Sequence, residues 1–195
     1  MHIPKHFNIT DQTEIRSFIH ENAFGQLVSI SDSRPVATHM PFHFCQDKGR
    51  LAGHLARVNS QVKHLDGQDV LVILQGPHDY ISPSWYENPG VPTWNYQAVH
   101  LYGKCQTFDD PSRLKEIVET LTSTYESGYA KPWNPDYQPA MLNAIIGIDI
   151  HITEIQCQYK LSQNRKEEDQ QRVIEELRKK GSHALASAME KQLQK

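Results

Sequence analysis

The chain has 195 residues, with 20 Lys and Arg against 23 Asp and Glu and a formal net charge of -3. Its pI is about 6.4 and its mean hydropathy -0.61. The length suits one domain, or one domain with a helical appendage. The mild acidity gives no support to direct DNA binding, which usually goes with a basic surplus, although it does not exclude a local basic patch. Cys45, Cys105 and Cys157 are far apart and form no CxxC. That argues against a disulfide framework or a thiolate zinc site and for a reducing compartment. The N-terminal "MHIPKHFNIT" has no apolar h-region and no run approaches the length of a membrane span, so the expectation is a soluble, cytoplasmic protein with no membrane partner.

In chain order, "TDQTEIRSFIHEN" opens with Asp11 three residues before Glu14, a capping-box spacing, and puts Ile15, Phe18 and Ile19 on one helical face. "FGQLVSIS", "VATHMPFHF" and "RLAGHL" are short β segments separated by the turns "DSRP" and "DKG", the signature of an antiparallel meander. "DVLVILQG" is rich in Val, Leu and Ile and reads as a central strand. In "PSWYENPGVPTWNY", Pro83 to Tyr96, the prolines predict a loop. "YQAVHLYGKCQTF" alternates, with Val99 and Leu101 on one face and His100 and Tyr102 on the other. "PSRLKEIVETLTSTYES" predicts a helix with Pro111 in its first turn and a buried stripe of Leu114, Ile117, Val118, Leu121 and Tyr125. "GIDIHITEI" reads as a further strand with Ile148, Ile150 and Ile152 on one face, and His151 on the other. From Arg165 the chain is polar and helical, with only Val173, Ile174 and Leu177 as a thin apolar stripe. The pattern predicts a mainly β fold with helices: about six strands in one sheet, most economically closed into a small barrel. The division is a domain over 1–164 and a helical C-terminal extension over 165–195.

Three segments carry chemistry. In "GHLARVNSQVKHL", Arg57 offers a planar fork of donors and Asn59, Ser60 and Gln61 add neutral ones, a mixture that suits a phosphate as well as an ordinary strand-to-helix turn. The loop "PSWYENPGVPTWNY" holds two of the three Trp of the chain. Its aromatics could seal a subunit interface, stack on a planar ligand, or form a satellite core under a long loop. In "KLSQNR", Gln163 and Asn164 can each pair with a donor–acceptor edge, or simply cap the following helix. The eleven His, His39 and His43 among them, show no familiar ligand spacing, so no metal site is expected. No P-loop, GxSxG or Rossmann fingerprint is present.

The blocks "IPKHF", "FGQLVS", "ATHMP", "GHLARVNSQ", "VLVILQGPHDYISPSWY", "VPTWNY", "VHLYGK" and "KLSQN", in this order, resemble the PaiB-type FMN-binding negative transcriptional regulators over about residues 1–175. The resemblance implies an FMN-binding split β-barrel, akin to pyridoxamine phosphate oxidases and flavin reductases, that forms a homodimer with the flavin at the subunit interface. It implies a phosphate held by His54, Arg57, Asn59 and Ser60, with Thr38 and His39 beside the flavin ring. Trp94, Asn95, Gln163 and Asn164 would complete the pocket. It also implies negative transcriptional regulation, with redox sensing or a partner protein as routes other than direct DNA contact. The sequence contains no persuasive helix-turn-helix, and the basic run Arg178 to Lys180 reads as a charged helix face. A flavin-dependent oxidoreductase and a heme-binding or heme-degrading split barrel stay open as alternatives.

Overall fold

The computed structural model describes all residues, 1–195. Its helices are α1 (Gln12–Glu21), α2 (Val62–Leu65), α3 (Pro111–Glu126), α4 (Pro139–Asn143), α5 (Glu167–Lys180) and α6 (His183–Leu193). Its strands are β1 (Phe24–Ser31), β2 (Arg34–Pro41), β3 (His43–Cys45), β4 (Arg50–Ala56), β5 (Asp69–Ile81), β6 (Thr93–Phe108) and β7 (Ile145–Lys160). The strands make one sheet in the order β2-β1-β5-β6-β7-β4-β3. The chain divides into two compact units: residues 1–18, 75–99 and 156–195, and residues 19–74 and 100–155.

In the second unit, β1 and β2 pair antiparallel from Phe24↔Pro41 to Ser31↔Arg34. Only Asp32 and Ser33 lie between them, at φ 50° and 60°. This is the left-handed geometry that a two-residue hairpin needs to follow the strand twist, taken here without glycine. The predicted strand "VATHMPFHF" breaks in two. The Phe42 N–H donates to Ala23 O at 2.8 Å, and its side chain is buried. The break sends β3 to β4 instead of continuing β2, so β2 and β3 stand at opposite ends of the strand order and the expected simple meander does not form. β4 then pairs antiparallel with β7 from Arg50↔His151 to Ala56↔Ile145. Opposite His54 in this register stands Gly147. The Phe108 ring lies against that glycine, and a Cβ there would overlap it.

α3 starts on Pro111 behind an Asp110 cap, whose Oδ1 accepts from Arg113 N at 2.9 Å. Leu114, Val118 and Leu142 form a buried cluster with Phe108, Tyr137 and Ile145 packed around it. Tyr125, expected on the buried stripe, is exposed, because the helix outlasts the surface it packs on. Asp149, buried on β7, accepts from Arg50 at 3.0 Å and pairs with Arg113, whose guanidinium also lies 3.8 Å from the Phe108 ring centre. A buried carboxylate between two cations is held mainly by the loss that either vacancy would cause.

In the first unit, Asp11 caps α1 through Glu14 N at 2.8 Å, as the spacing predicts. The tail buries more than its thin stripe suggested. Val173 and Leu177 of α5 and Leu185, Ala186 and Met189 of α6 are all buried. Gly181, at φ 89°, ends α5, with Ser182 N donating to Leu177 O and Gly181 N to Arg178 O, a glycine-terminated helix end. Arg178 Nη2 then bridges both carboxylate oxygens of Glu190 at 2.8 and 2.7 Å. Cys45, Cys105 and Cys157 are free thiols. Burial pushes Cys105 and Cys157 up to about 12, which keeps both protonated and unreactive at neutral pH.

Candidate functional site

The strand-to-helix segment that carries Arg57, Asn59 and Ser60 is fixed from below by one buried side chain. Gln61, 2% exposed, donates through Nε2 to Leu27 O at 3.1 Å and to Ser29 Oγ at 2.8 Å. Its Oε1 accepts from Thr38 Oγ1 at 2.6 Å, and its backbone N–H donates to Asn59 Oδ1 at 3.0 Å. Asn59 Nδ2 donates back to Thr38 Oγ1 at 3.0 Å, so Thr38, Asn59 and Gln61 form a closed ring of hydrogen bonds. Thr38 and Asn59 are each half-buried, accessible from one side. The ring ties β2, at the edge of the sheet, to the turn after β4.

Arg57 is held differently. Its Nε donates to Asn143 O at 2.7 Å and Nη2 to Ile145 O at 3.2 Å, which fastens it across the α4–β7 junction. Nη1 lies 3.7 Å from Asp109. Ser60 faces a cleft of about 280 Å³ that Arg34, Lys63 and His64 also line. Asp32, at the hairpin tip, stands 3.6 Å from His64. Two permanent cations and a hydroxyl outweigh the one carboxylate, that of Asp32, on the lining of this small cleft, which suits it to an anionic group.

His54 is half-buried and its Nδ1 has no partner within the chain. Burial holds its pKa below the ordinary imidazole value, so the ring is neutral at pH 7. His100 is in the same condition, with a partnerless Nδ1 and a pKa lowered by burial. His39 is exposed on β2, its ring 6.5 Å from that of Phe24 and nearly parallel to it.

The remaining candidates, Trp94, Asn95, Gln163 and Asn164, belong to the first unit. The predicted loop Pro83 to Tyr96 becomes strand from Thr93, where Lys160 of β7 pairs with Thr93 Oγ1 and donates to Trp94 O at 2.7 Å. Burial lowers the pKa of that ammonium. Trp94 is 54% exposed, its ring edge-on to Tyr80. Asn95 is fully buried, with Nδ2 donated to Ser162 Oγ at 2.9 Å. Gln163 closes its own turn, accepting from Leu161 N at 2.7 Å and donating to Tyr159 O at 2.6 Å. Asn164 is exposed.

The rest of the aromatic loop is held by α5. Asp169 accepts from Glu87 N at 2.8 Å, Arg165 lies 4.4 Å from the Tyr86 ring centre, and Arg172 pairs with Glu87. Tyr86 is thereby buried inside the unit, a satellite core, whereas Val91 and Trp94 are left uncovered. Sequence reasoning counted Gln61 only as one more donor and missed Arg34 and Lys63. Lys63 follows Ser60 by three residues and was legible as a basic turn residue, whereas Arg34 is brought in by the hairpin and has no local signal.

A family model described as "Putative FMN-binding domain" matches residues 1–154. The chain therefore belongs to this FMN-binding family, and the PaiB-type resemblance stands. It is 41% identical over 206 residues to "Protease synthase and sporulation protein PAI 2" of Bacillus subtilis, covering 100% of this chain and 99% of that protein. It is also 33% identical over 153 residues to an uncharacterized Saccharomyces cerevisiae protein, covering 65% of this chain and 90% of that one. Among solved structures it resembles the flavocytochrome Anf3 of Azotobacter vinelandii, with a TM-score of 0.67 and 17% identity over 86% of this chain and 77% of that one. It also resembles an FAD and heme binding protein of Mycobacterium smegmatis, with a TM-score of 0.63 and 14% identity over 78% and 73%. The fold is the split barrel of the flavin-binding proteins, built here from a mostly antiparallel seven-stranded sheet. No helix is long and apolar enough to cross a membrane.

Proposed function

We propose that this protein is an FMN-binding regulator of the PaiB type that acts as a homodimer. The observation that carries this reading is the 41% identity, end to end, to a protein named for protease synthesis and sporulation. The donor set supports it. Ser60, Arg34 and Lys63 around their cleft suit the FMN phosphate, and Arg57 adds the Nη1 edge that now faces Asp109. Thr38 and Asn59 offer polar atoms of fixed direction to the ring, His54 an unpartnered neutral nitrogen, and His39 an exposed imidazole on the edge strand.

When bound, FMN supplies a ring able to take up and release electrons. The part of the chain is to bind and orient it. We assign that work to the 1–164 segment and a supporting role to the helices of 165–195, whose Asp169 and Arg165 hold the aromatic loop. In the dimer, exposed Trp94 and Asn164 are the members of the second group accessible to a partner protomer, and Asn95 and Gln163 keep their backbone in place. With a net charge of -3, regulation through the flavin's redox state or a partner protein is favoured over long-range attraction to DNA.

The experiment is a visible spectrum of purified protein after adding and removing excess FMN, with sedimentation of the same sample. Retained flavin bands and a particle of about twice the 22.4 kDa chain mass support the reading. A monomer that retains no FMN overturns it, and a Soret band would transfer the site to heme. A gel-shift titration in oxidised and reduced conditions at two salt concentrations then separates direct from indirect regulation.

A further inference from the structure

The ring of Thr38, Asn59 and Gln61 has a direction, and backbone groups set it. Leu27 O can only accept, so the atom of Gln61 that faces it is the amide nitrogen. The other terminal atom, Oε1, can only accept, so the Thr38 hydroxyl must donate its single proton to it. Likewise the Gln61 backbone N–H can only donate, so the Asn59 atom that faces it is the oxygen, and Nδ2 points at Thr38. Thr38 Oγ1 is left with a lone pair and no proton. Asn59 Nδ2 is left with one N–H.

We infer that Gln61 is a positioning residue that locks Thr38 as an acceptor and Asn59 as a donor, and that this pair selects a ligand edge in which an N–H adjoins a C=O. The inference rests on the FMN reading, because the pyrimidine edge of a flavin is an imide and presents that pattern. It deepens that reading by saying which ring edge the two polar atoms of fixed direction recognise. A free threonine hydroxyl would rotate to suit a donor or an acceptor alike. One whose proton is already committed rejects an acceptor and rewards an N–H. A site built to pair a ligand N–H discriminates strongly against an analogue lacking it, because its own buried polar group is then left unpaired.

The test compares FMN with 3-methyl-FMN, in which the imide proton is replaced by a methyl group, by fluorescence titration of the full chain. Native protein should bind FMN about tenfold more tightly than the methylated analogue, the effect of one lost hydrogen bond in a half-buried site. Thr38→Ser keeps the hydroxyl and should preserve that ratio. Thr38→Val removes it with little change of shape and should bring the ratio toward unity, whereas Asn59→Asp removes the donor to a C=O that both ligands keep and should weaken both alike. Thermal unfolding of each variant shows that it is folded. In ligand-free native protein the Gln61 Nε2 protons should exchange slowly with solvent, and fast exchange would mean that the lock is not closed. Failure of native protein to bind FMN sinks the functional reading and this inference with it. FMN binding with one and the same ratio in native protein and Thr38→Val sinks this inference alone.

Discussion

The turn after β4 and the loop after β5 both carry residues with a functional claim, and they are held in opposite ways. Residues 59–61 are fixed by polar atoms of one hairpin a few tens of positions earlier: Asn59 and Gln61 bond each other and share Thr38. Residues 82–92 are fixed from a distance. The partners of Tyr86, Glu87 and Pro89 are Arg165, Asp169 and Arg172, about eighty positions along the chain. The first arrangement makes a rigid polar surface; the second makes a clamp that can be released without dismantling the sheet. A loop held by another element opens at a lower free energy than the core around it.

Gln61→Leu should break this comparison most strongly. It leaves Leu27 O and Ser29 Oγ without their donor in a buried place and frees the Thr38 proton. Each buried group stranded in this way costs about 1–3 kcal/mol, so the variant should lose roughly 2–4 kcal/mol in urea unfolding. A loss within the range of ordinary surface substitutions, about 0.5 kcal/mol, would mean that the ring carries little.

Asp169→Ala addresses the second loop. It should accelerate proteolytic cleavage within 82–92 several-fold while shifting the global unfolding midpoint much less. Equal effects on both would show that the loop and the core unfold together. The hydrogen bond from Glu87 N holds the Asp169 carboxyl below its ordinary value. A depressed carboxyl stabilises the native state above its unfolded pKa of about 3.9, and that contribution is lost as pH falls through the lower folded value. Native protein should therefore gain loop cleavage on the acid side of pH 4 under an acid-active protease. The variant should show no such step.

How much of this was legible follows from the same contrast. The Asp11 cap, the stripe Leu114, Val118 and Leu121 and the alternation around Val99 and Leu101 are local patterns with a period, and the structure contains them. The polar character of 57–61 was legible too, because its residues lie next to one another. That Gln61 would turn inward was not, since its partners Leu27, Ser29 and Thr38 come from a hairpin more than twenty positions earlier. The start of β6 at Thr93 was hidden by neighbouring prolines, and its contact with Lys160 comes from 67 positions further along the chain. The break at Phe42 was hidden in a run whose propensity is uniformly β, and only the Phe42–Ala23 hydrogen bond reveals it. Tyr125 fits the helical period, but periodicity does not say where the packing surface ends.

Two histidines lie on the strands of the second unit, His54 on β4 and His100 on β6. His54 and His100 are both kept neutral by burial, with folded pKa values below the unfolded 6.5. The unfolded chain then binds more protons between the folded values and 6.5, so stability falls as pH drops through that window and levels off below it. Replacing both by Gln should flatten the dependence of the urea midpoint on pH just below 6.5. An unchanged slope would place the pH dependence on other groups.

The smallest expected effect tests whether Arg57 belongs to the phosphate at all. Its Nε and Nη2 are fixed on backbone carbonyls, and only the edge toward Asp109 can turn to a new anion. Asp109 is exposed, at 72%, so its pull on Arg57 is screened by water and salt. Exposed pairs of this kind contribute about 0.2–1 kcal/mol. An arriving phosphate would have to displace that carboxylate or sit beside it, and either costs something of that order. Asp109→Asn removes the charge and keeps the shape. It should tighten FMN by about two- to fivefold at low salt, a factor that shrinks as salt is raised. Riboflavin has the same ring and no phosphate, and its affinity should not change. An equal gain for riboflavin would place the effect on the ring, and no gain for either would confine Arg57 to fastening the α4–β7 junction, leaving the phosphate to Ser60, Arg34 and Lys63.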